Sequence, residues 1–332
     1  MKKKIFITGA SGFVGSHLTE AAQLLGLEVH AAVRQSSKIS DIEPFVDKFV
    51  YPNLGNSQDL LKLFDQEKYS YIIHAAAMTK TKSEELMKNV NVGYTEALLH
   101  AALKADMPLE RIAYVSSLAA IGPIPYANEG LIDESFPYHP LTVYGRSKKE
   151  SELMIQDNFT DERISIFRPT AVYGPREKDI FILFDTMRRG LDPYIGTNPQ
   201  KLSFIYVKDL VDVLLKGVIT PQEGMQFYNI SDGQVYSRYA MAEIYKDIFQ
   251  KKLWRMHVPL GLVKGIAQIS QFLYRNSPKT PVIYPERLGE LTAENWGVDI
   301  SHAQSQLGFD PKYLLEDGLK ESLLWYKENK WL

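Results

Sequence analysis

The chain is predicted to fold as an α/β protein, a doubly wound parallel sheet with helices on both faces, joined to a smaller, mostly α-helical C-terminal lobe. Two patterns predict this. Through the first half, short β-branched and apolar runs alternate with longer amphipathic stretches, as in successive βαβ units. Past about residue 172 the alternation weakens, and Gly174, Pro175, Gly190, Pro193, Gly196 and Pro199 punctuate the chain as loops. Length agrees with both patterns: 332 residues, 45% of them hydrophobic, can bury a large core as one α/β unit or as two coupled lobes.

Strands are expected over residues 4–8, 28–33, 48–51, 71–74, 112–116 and 164–167, with helices over 13–25, 57–66, 83–104 and 143–158 between them. Strands with helical crossovers put a ligand site outside their carboxyl ends, so function is expected just after each strand. Residues 203–207 and 226–230 read as further strands around a helix over 208–218, which returns the chain to the sheet. This assigns 1–172 and 203–234 to the sheet domain, and 173–202 and 235–332 to the second lobe. In that lobe Leu262, Val263, Ile266, Ile269 and Leu273 recur near helical spacing. They predict a packed or lid helix, with contact to a membrane surface as the alternative. No segment reaches the roughly 18 apolar residues that a spanning helix needs. A last helix over 314–327 leads to Trp331 and Leu332, expected to dock on the body.

Lys and Arg number 38 against 40 Asp and Glu, so no overall field draws the chain to nucleic acid or to an anionic membrane. A small molecule is the expected partner. The absence of cysteine removes disulfides, thiolate nucleophiles and Cys-ligated metals and fits a reducing compartment, with the cytoplasm as the expected location. The seven histidines show no short-range pairing of the kind zinc sites use, and no metal is expected. The lysines at 2–4 run directly into Ile5-Phe-Ile7 and then glycines, too short an apolar core for a signal sequence.

Thr8-Gly-Ala-Ser-Gly-Phe-Val-Gly15 follows the first strand and opens the first helix. Glycines at a strand-to-helix turn allow a tight bend and let backbone N–H groups approach a pyrophosphate at the positive helix end. Gly9, Gly12 and Gly15, with Ser11, Phe13 and Val14 between them, are therefore assigned to a dinucleotide. An acid after the second strand would hold a ribose 2′-hydroxyl, whereas an arginine there accommodates a 2′-phosphate. This chain has Val33 and then Arg34, with Ser36, Ser37 and Lys38 as further donors, which favours NADP over NAD.

Tyr144 and Lys148 stand four residues apart, which on a helix puts them on one face. An ammonium beside the phenol favours its ionised form, and the pair can then exchange a proton near neutral pH. Taken alone, the same spacing also describes an exposed Tyr/Lys pair at a helix start.

With the glycine loop and this pair together, the chain resembles the extended short-chain dehydrogenase/reductase family, also called the NAD(P)-dependent epimerase/dehydratase family. Further matches are His74-Ala-Ala-Ala77, Asn91-Val92, Tyr114-Val-Ser-Ser117, Arg168-Pro-Thr-Ala-Val-Tyr-Gly-Pro175, Phe204-Ile-Tyr-Val-Lys-Asp209 and Gly318 with Trp325-Tyr326. The resemblance covers nearly the whole chain. It implies a Rossmann-type coenzyme domain and a substrate lobe. It also implies a catalytic Ser117 that hydrogen-bonds the substrate oxygen, Tyr144 as acid/base, and Lys148 acting on the phenol and on the nicotinamide ribose. Asn91 would order the active-site backbone or a water. At the coenzyme the resemblance sets Asn53 and Leu54 near the adenine, although the family usually has Asp in place of Asn53. Ala75, Ala76 and Ala77 fall along the ribose and diphosphate, and Pro169 and Val172 toward the nicotinamide; Ser116, the second choice for the catalytic serine, is also assigned to the coenzyme. The helices over 83–104 and 143–158 are those the family commonly pairs into a homodimer.

Three activities remain open on these residues. The first is an oxidoreductase acting on a carbonyl or secondary alcohol. The second is a nucleotide-sugar epimerase with tightly bound NAD, for which Arg176 or Arg287 could meet a diphosphate. The third, a coenzyme sensor without chemistry, has no use for Ser117, Tyr144 and Lys148 together. Nucleotide-sugar enzymes often carry an arginine just before the aromatic strand, where this chain has Leu202-Ser203-Phe204, with Lys201 as a partial substitute. That departure and Arg34 favour the first reading. Ser117-Leu118-Ala119 lacks the acid pair typical of the dehydratases.

Overall fold

A strand covered on both faces needs an unbroken apolar run, and Ile5, Phe6 and Ile7 supply one, all three fully buried. They form the middle of β1 (Lys4–Thr8) in a computed structural model that describes residues 2–274 and 284–332. In chain order follow α1 (Phe13–Leu24), β2 (Glu28–Ala32), β3 (Lys48–Val50), α2 (Ser57–Glu67) and β4 (Tyr71–His74). Next come α3 (Glu84–Lys88), a π-turn at Asn89–Gly93, α4 (Tyr94–Lys104), β5 (Arg111–Val115), α5 (Val143–Asn158) and β6 (Ile164–Pro169). The second half contains β7 (Ala171–Tyr173), α6 (Phe181–Arg188), β8 (Leu191–Ile195), β9 (Lys201–Leu202), β10 (Phe204–Tyr206), α7 (Val207–Ile219) and β11 (Gln226–Ile230). It closes with β12 (Tyr236–Ser237), α8 (Ala240–Phe249), β13 (Trp254–Val258), α9 (Leu260–Leu273), α10 (Pro285–Thr292), α11 (Ser301–Leu307) and α12 (Leu315–Glu328).

Seven strands make one parallel sheet in the order β11-β6-β5-β4-β1-β2-β3. Because successive side chains leave opposite faces of a strand, Ile5 and Ile7 join a core with Leu18 and Leu214, while Phe6 joins a second one with Phe64, Leu98 and Ile155. Helices α1 and α7 thus cover one face, and α2, α4 and α5 the other. The order reverses between β1 and β4, which opens a crevice at the carboxyl ends of those strands.

Three features differ from or extend the sequence reading. The strand expected over 203–207 does not rejoin the main sheet: β10 pairs with β7 in a two-stranded parallel ribbon, and β11 alone takes the sheet edge. The helix expected over 83–104 is interrupted by the π-turn around the buried Asn91. Among the described residues, helix α9 buries only Val263 and Ala267, its small side, and leaves Leu262, Ile266, Ile269 and Leu273 at 60%, 48%, 61% and 70% exposure. The C-terminus docks as expected, with Trp331 against Phe181 and Tyr326. No helix of the described residues is long and apolar enough to cross a membrane.

Candidate active site

The turn after β1 has the shape of a phosphate cradle. Gly9 holds a left-handed φ of +69°, and a Cβ there would stand 2.8 Å from the Ala75 carbonyl and the Ala76 nitrogen. A Cβ on Gly15 would stand 2.0 Å from the Gly9 oxygen, so α1 can begin this close to β1 only with glycine at that position. Helix α1 starts at Gly12 with no side-chain cap and no acid in its first turn. Its first N–H groups are left for an anion, as a pyrophosphate requires. Ser11 is exposed at the tip, and Phe13 and Val14 are half-buried behind it.

Behind the cradle runs a buried chain of hydrogen bonds that sequence reasoning missed. Thr8 Oγ1 accepts from the Ala76 N–H at 3.1 Å and meets His74 Nδ1 at 2.7 Å. His74 Nε2 lies 3.0 Å from Thr95 Oγ1, whose single proton is spent on the Asn91 carbonyl at 2.7 Å. Donor counting therefore puts the imidazole proton on Nε2, with the Thr8 hydroxyl donating to Nδ1. Burial, reinforced by the Lys148 charge, draws His74 down to about 3, so the ring is neutral. The polar letters in Thr8, His74 and Thr95 were a signal, because a polar residue at a strand end or inside a helix needs a partner.

Asn91 continues the chain toward the catalytic side. Its Oδ1 accepts from Met78 N at 2.7 Å, and its Nδ2 donates to Met78 O at 2.9 Å and to Ser147 Oγ at 2.8 Å. Ser147 Oγ in turn donates to the Tyr144 carbonyl at 2.7 Å. The expected ordering role thus acquires specific partners: Asn91 clamps Met78, in the loop just after Ala75, Ala76 and Ala77, to the first turn of α5.

That first turn is capped by Thr142, whose Oγ1 accepts from Gly145 N at 3.1 Å. It carries Tyr144 up to Ser117, which caps the short 3₁₀ turn Leu118–Ala120 through Ala119 N at 3.2 Å. Burial pushes the half-buried Tyr144 phenol up to about 12, opposed by a hydrogen bond to Ser117 and assisted by the Glu290 charge. Lys148 is buried one turn on. Its Nζ donates to the Val115 carbonyl at 2.7 Å and to Tyr114 Oη at 3.2 Å, over the Tyr114 ring. The sequence expectation had this ammonium beside the Tyr144 phenol. Here it takes the acceptors at the end of β5 instead, because a buried ammonium is costly without them. Burial draws Lys148 down to about 7, with Glu152 acting in the opposite direction.

The remaining residues assigned from sequence are spread around this centre. Ser116 donates its hydroxyl to Glu152, a fully buried carboxylate that also pairs with Arg168 at 2.7 Å. Its side chain is thus turned into the core. Arg34 and Lys38 lie exposed beyond β2, and Arg34 makes no ion pair among the described residues. Asn53 spends its Oδ1 on Gly55 N at 3.1 Å beside half-buried Leu54. Pro169 ends β6, and Val172 pairs with Ile205 in the ribbon. Of the candidate phosphate ligands, Arg176 turns to His17 and Glu20 on α1, and Lys201 to the carbonyls of Tyr126 and Asn128. A separate cavity of about 460 Å³ opens in the second half of the chain between Ile195, Asn198, Arg238, His257 and Leu260. No group of three metal-binding side chains occurs among the described residues.

Fold and cradle together define a Rossmann-type α/β protein of the extended short-chain dehydrogenase/reductase class. The chain belongs to the NAD dependent epimerase/dehydratase family, whose model matches residues 5–231. Among curated relatives it is 24% identical to a decarboxylating sterol-4-alpha-carboxylate 3-dehydrogenase of Candida albicans, over 98% of each chain. It is 26% identical to a UDP-glucose 4-epimerase of Vibrio cholerae, over 97% of this chain and 95% of the relative. Among solved structures, a dTDP-glucose 4,6-dehydratase of Bacillus anthracis in complex with NAD superposes with a TM-score of 0.76 at 18% identity, covering 99% of this chain and 97% of that one. The curated relatives include a dehydrogenase, epimerases and dehydratases, and the chain is an enzyme of this family.

Proposed function

We propose that the chain is an NAD(P)-dependent oxidoreductase that moves a hydride between the nicotinamide and a carbonyl or secondary alcohol, with Tyr144 as the acid/base. The observation that carries this reading is the Ser117–Tyr144 hydroxyl pair, just past the carboxyl end of β5 and on the same crevice as the glycine cradle. The coenzyme, when bound, supplies the hydride chemistry. The chain's own groups handle the proton. Ser117 offers a hydrogen bond to the substrate oxygen as charge develops on it. Tyr144, pushed up to about 12, holds its proton at neutral pH and donates it from Oη. Lys148, drawn down to about 7, gains or loses a proton in the working range. Asn91 acts through Ser147 on the Tyr144 backbone and is a positioning residue.

NADP is the preferred coenzyme on this reading and NAD the second, because the end of β2 offers no acid and Arg34 is free to meet a 2′-phosphate. The substrate lobe comprises 173–202 and 235–332, and the protein is a cytoplasmic homodimer through the helices over 83–104 and 143–158. A nucleotide-sugar epimerase is the second reading, favoured by the Vibrio cholerae relative. Leu202 in the place of an arginine, with Lys201 turned to Tyr126 and Asn128, weighs against it.

The test is release of any coenzyme from the purified protein, then NADPH and NADH oxidation on aldehydes and ketones beside a UDP-sugar interconversion assay. Tyr144→Phe is expected to lower kcat by about 10²–10⁴ with coenzyme affinity near normal; retained turnover would remove its role. Arg34→Asp is expected to move the NADP/NAD affinity ratio about tenfold or more toward NAD. Tightly held NAD together with sugar interconversion would replace the oxidoreductase reading.

A further inference from the structure

Helix α10 is fastened to the active site by its first turn. Glu286 accepts from Val143 N at 3.0 Å and from Arg146 Nη2 at 3.2 Å, so the carboxylate sits on the first turn of α5 beside Tyr144. Glu290, one helical turn further along α10, shares that face. Its charge is felt by two phenols, Tyr144 and Tyr284. Yet the half-buried Glu290 side chain has neither a hydrogen bond nor an ion pair among the described residues. Arg287 lies three residues earlier and is near enough for its charge to act on Glu290, but the two do not pair. Burial holds the Glu290 carboxyl above its usual range. A half-buried carboxylate on the α10 face that meets the first turn of α5, with no donor among the described residues, has a cost that a ligand can repay.

We propose that Glu290 is a substrate-binding carboxylate of this site, accepting a hydroxyl on the carbon next to the one that Tyr144 serves. The substrate is then a hydroxylated carbonyl compound or its polyol, in place of a plain ketone. The inference rests on Tyr144 as the acid/base and deepens that reading by naming the substrate class. A site that presents a buried acceptor discriminates strongly against an analogue without the hydroxyl, because the acceptor is then left unpaired.

The experiment uses the full chain loaded with coenzyme and two probes, 2-hydroxycyclohexanone and cyclohexanone, titrated calorimetrically. Wild type is expected to bind the hydroxy ketone about tenfold to a hundredfold more tightly, as for a hydrogen bond to a charged acceptor. Glu290→Leu should bring the ratio toward one. Glu290→Gln, which keeps an acceptor oxygen and nearly the same shape, should retain part of it, and thermal melts of both variants check the fold. A ratio near one in wild type, an unchanged ratio in Glu290→Leu, or no binding of the hydroxy ketone at any soluble concentration overturns the proposal. Tyr144→Phe separates the two failures. Turnover retained by that variant removes the acid/base reading, whereas an inactive Tyr144→Phe with no hydroxyl preference removes Glu290 alone.

Discussion

On the coenzyme side of the crevice Thr8, His74, Thr95 and Asn91 are at most 2% exposed, and their polar atoms answer one another from the glycine turn to α5. On the substrate side, among the described residues, α10 buries only Leu288 and α9 only Val263 and Ala267, and the Glu290 and Arg287 side chains have no hydrogen bond or ion pair. One side is closed around itself and the other is left open to a ligand. The coenzyme is a constant shape, so rigid backbone and fully matched hydrogen bonds suit it. Specificity for a variable substrate is read by side chains whose partners come from outside the chain.

The sharpest way to break the closed side is Gly15→Ala. Its Cβ would stand 2.0 Å from the Gly9 oxygen, a backbone atom that cannot give way without moving β1 or α1. A loss of about 3 kcal/mol in denaturant unfolding is expected, together with loss of coenzyme binding. Stability near wild type would mean that the turn is looser than its contacts imply.

A smaller effect is expected at Lys148, where function and stability conflict. Folded Lys148 releases its proton near about 7, against 10.5 as the ordinary value. Between those values the unfolded chain holds the extra proton, so raising pH through this window favours the folded form. Lys148→Met removes the buried ammonium and is expected to gain on the order of 1 kcal/mol at neutral pH while losing activity. The gain should shrink as pH climbs toward 10.5. A variant less stable than wild type at pH 7 would mean that the bonds to Val115 and Tyr114 outweigh the burial cost.

The closed side was also the legible one. The strand run Ile5–Ile7, the glycines after it and the Tyr144/Lys148 spacing are local patterns, and the structure keeps the first two where periodicity puts them. The π-turn at Asn89–Gly93 was not legible, because it surrounds a side chain whose partners, Met78 and Ser147, are 13 and 56 positions away. The direction of the Lys148 ammonium was missed for a related reason. Helical spacing sets the shared face, but the acceptor that decides the rotamer, the Val115 carbonyl, comes from another element. Glu290 had no sequence signal, since its place beside Tyr144 depends on Glu286 reaching the first turn of α5 across 143 positions.

The smallest expected effect tests how open the outer side is. The apolar residues of α9 suggested packing by their spacing, yet the stripe Leu262, Ile266, Ile269 and Leu273 faces outward and the body takes the narrower Val263–Ala267 line. An exposed isoleucine loses little when made polar, because its surface already meets water. Ile269→Ser, at 61% exposure, should therefore change unfolding free energy by about 0.5 kcal/mol or less. Val263→Ser, on the buried line of the same helix, is expected to cost more than about 1.5 kcal/mol, through lost burial and an unpaired hydroxyl. Equal losses at the two positions would show that the outward stripe is covered in solution, and the contrast between a closed and an open side would then hold only for the described residues of α10.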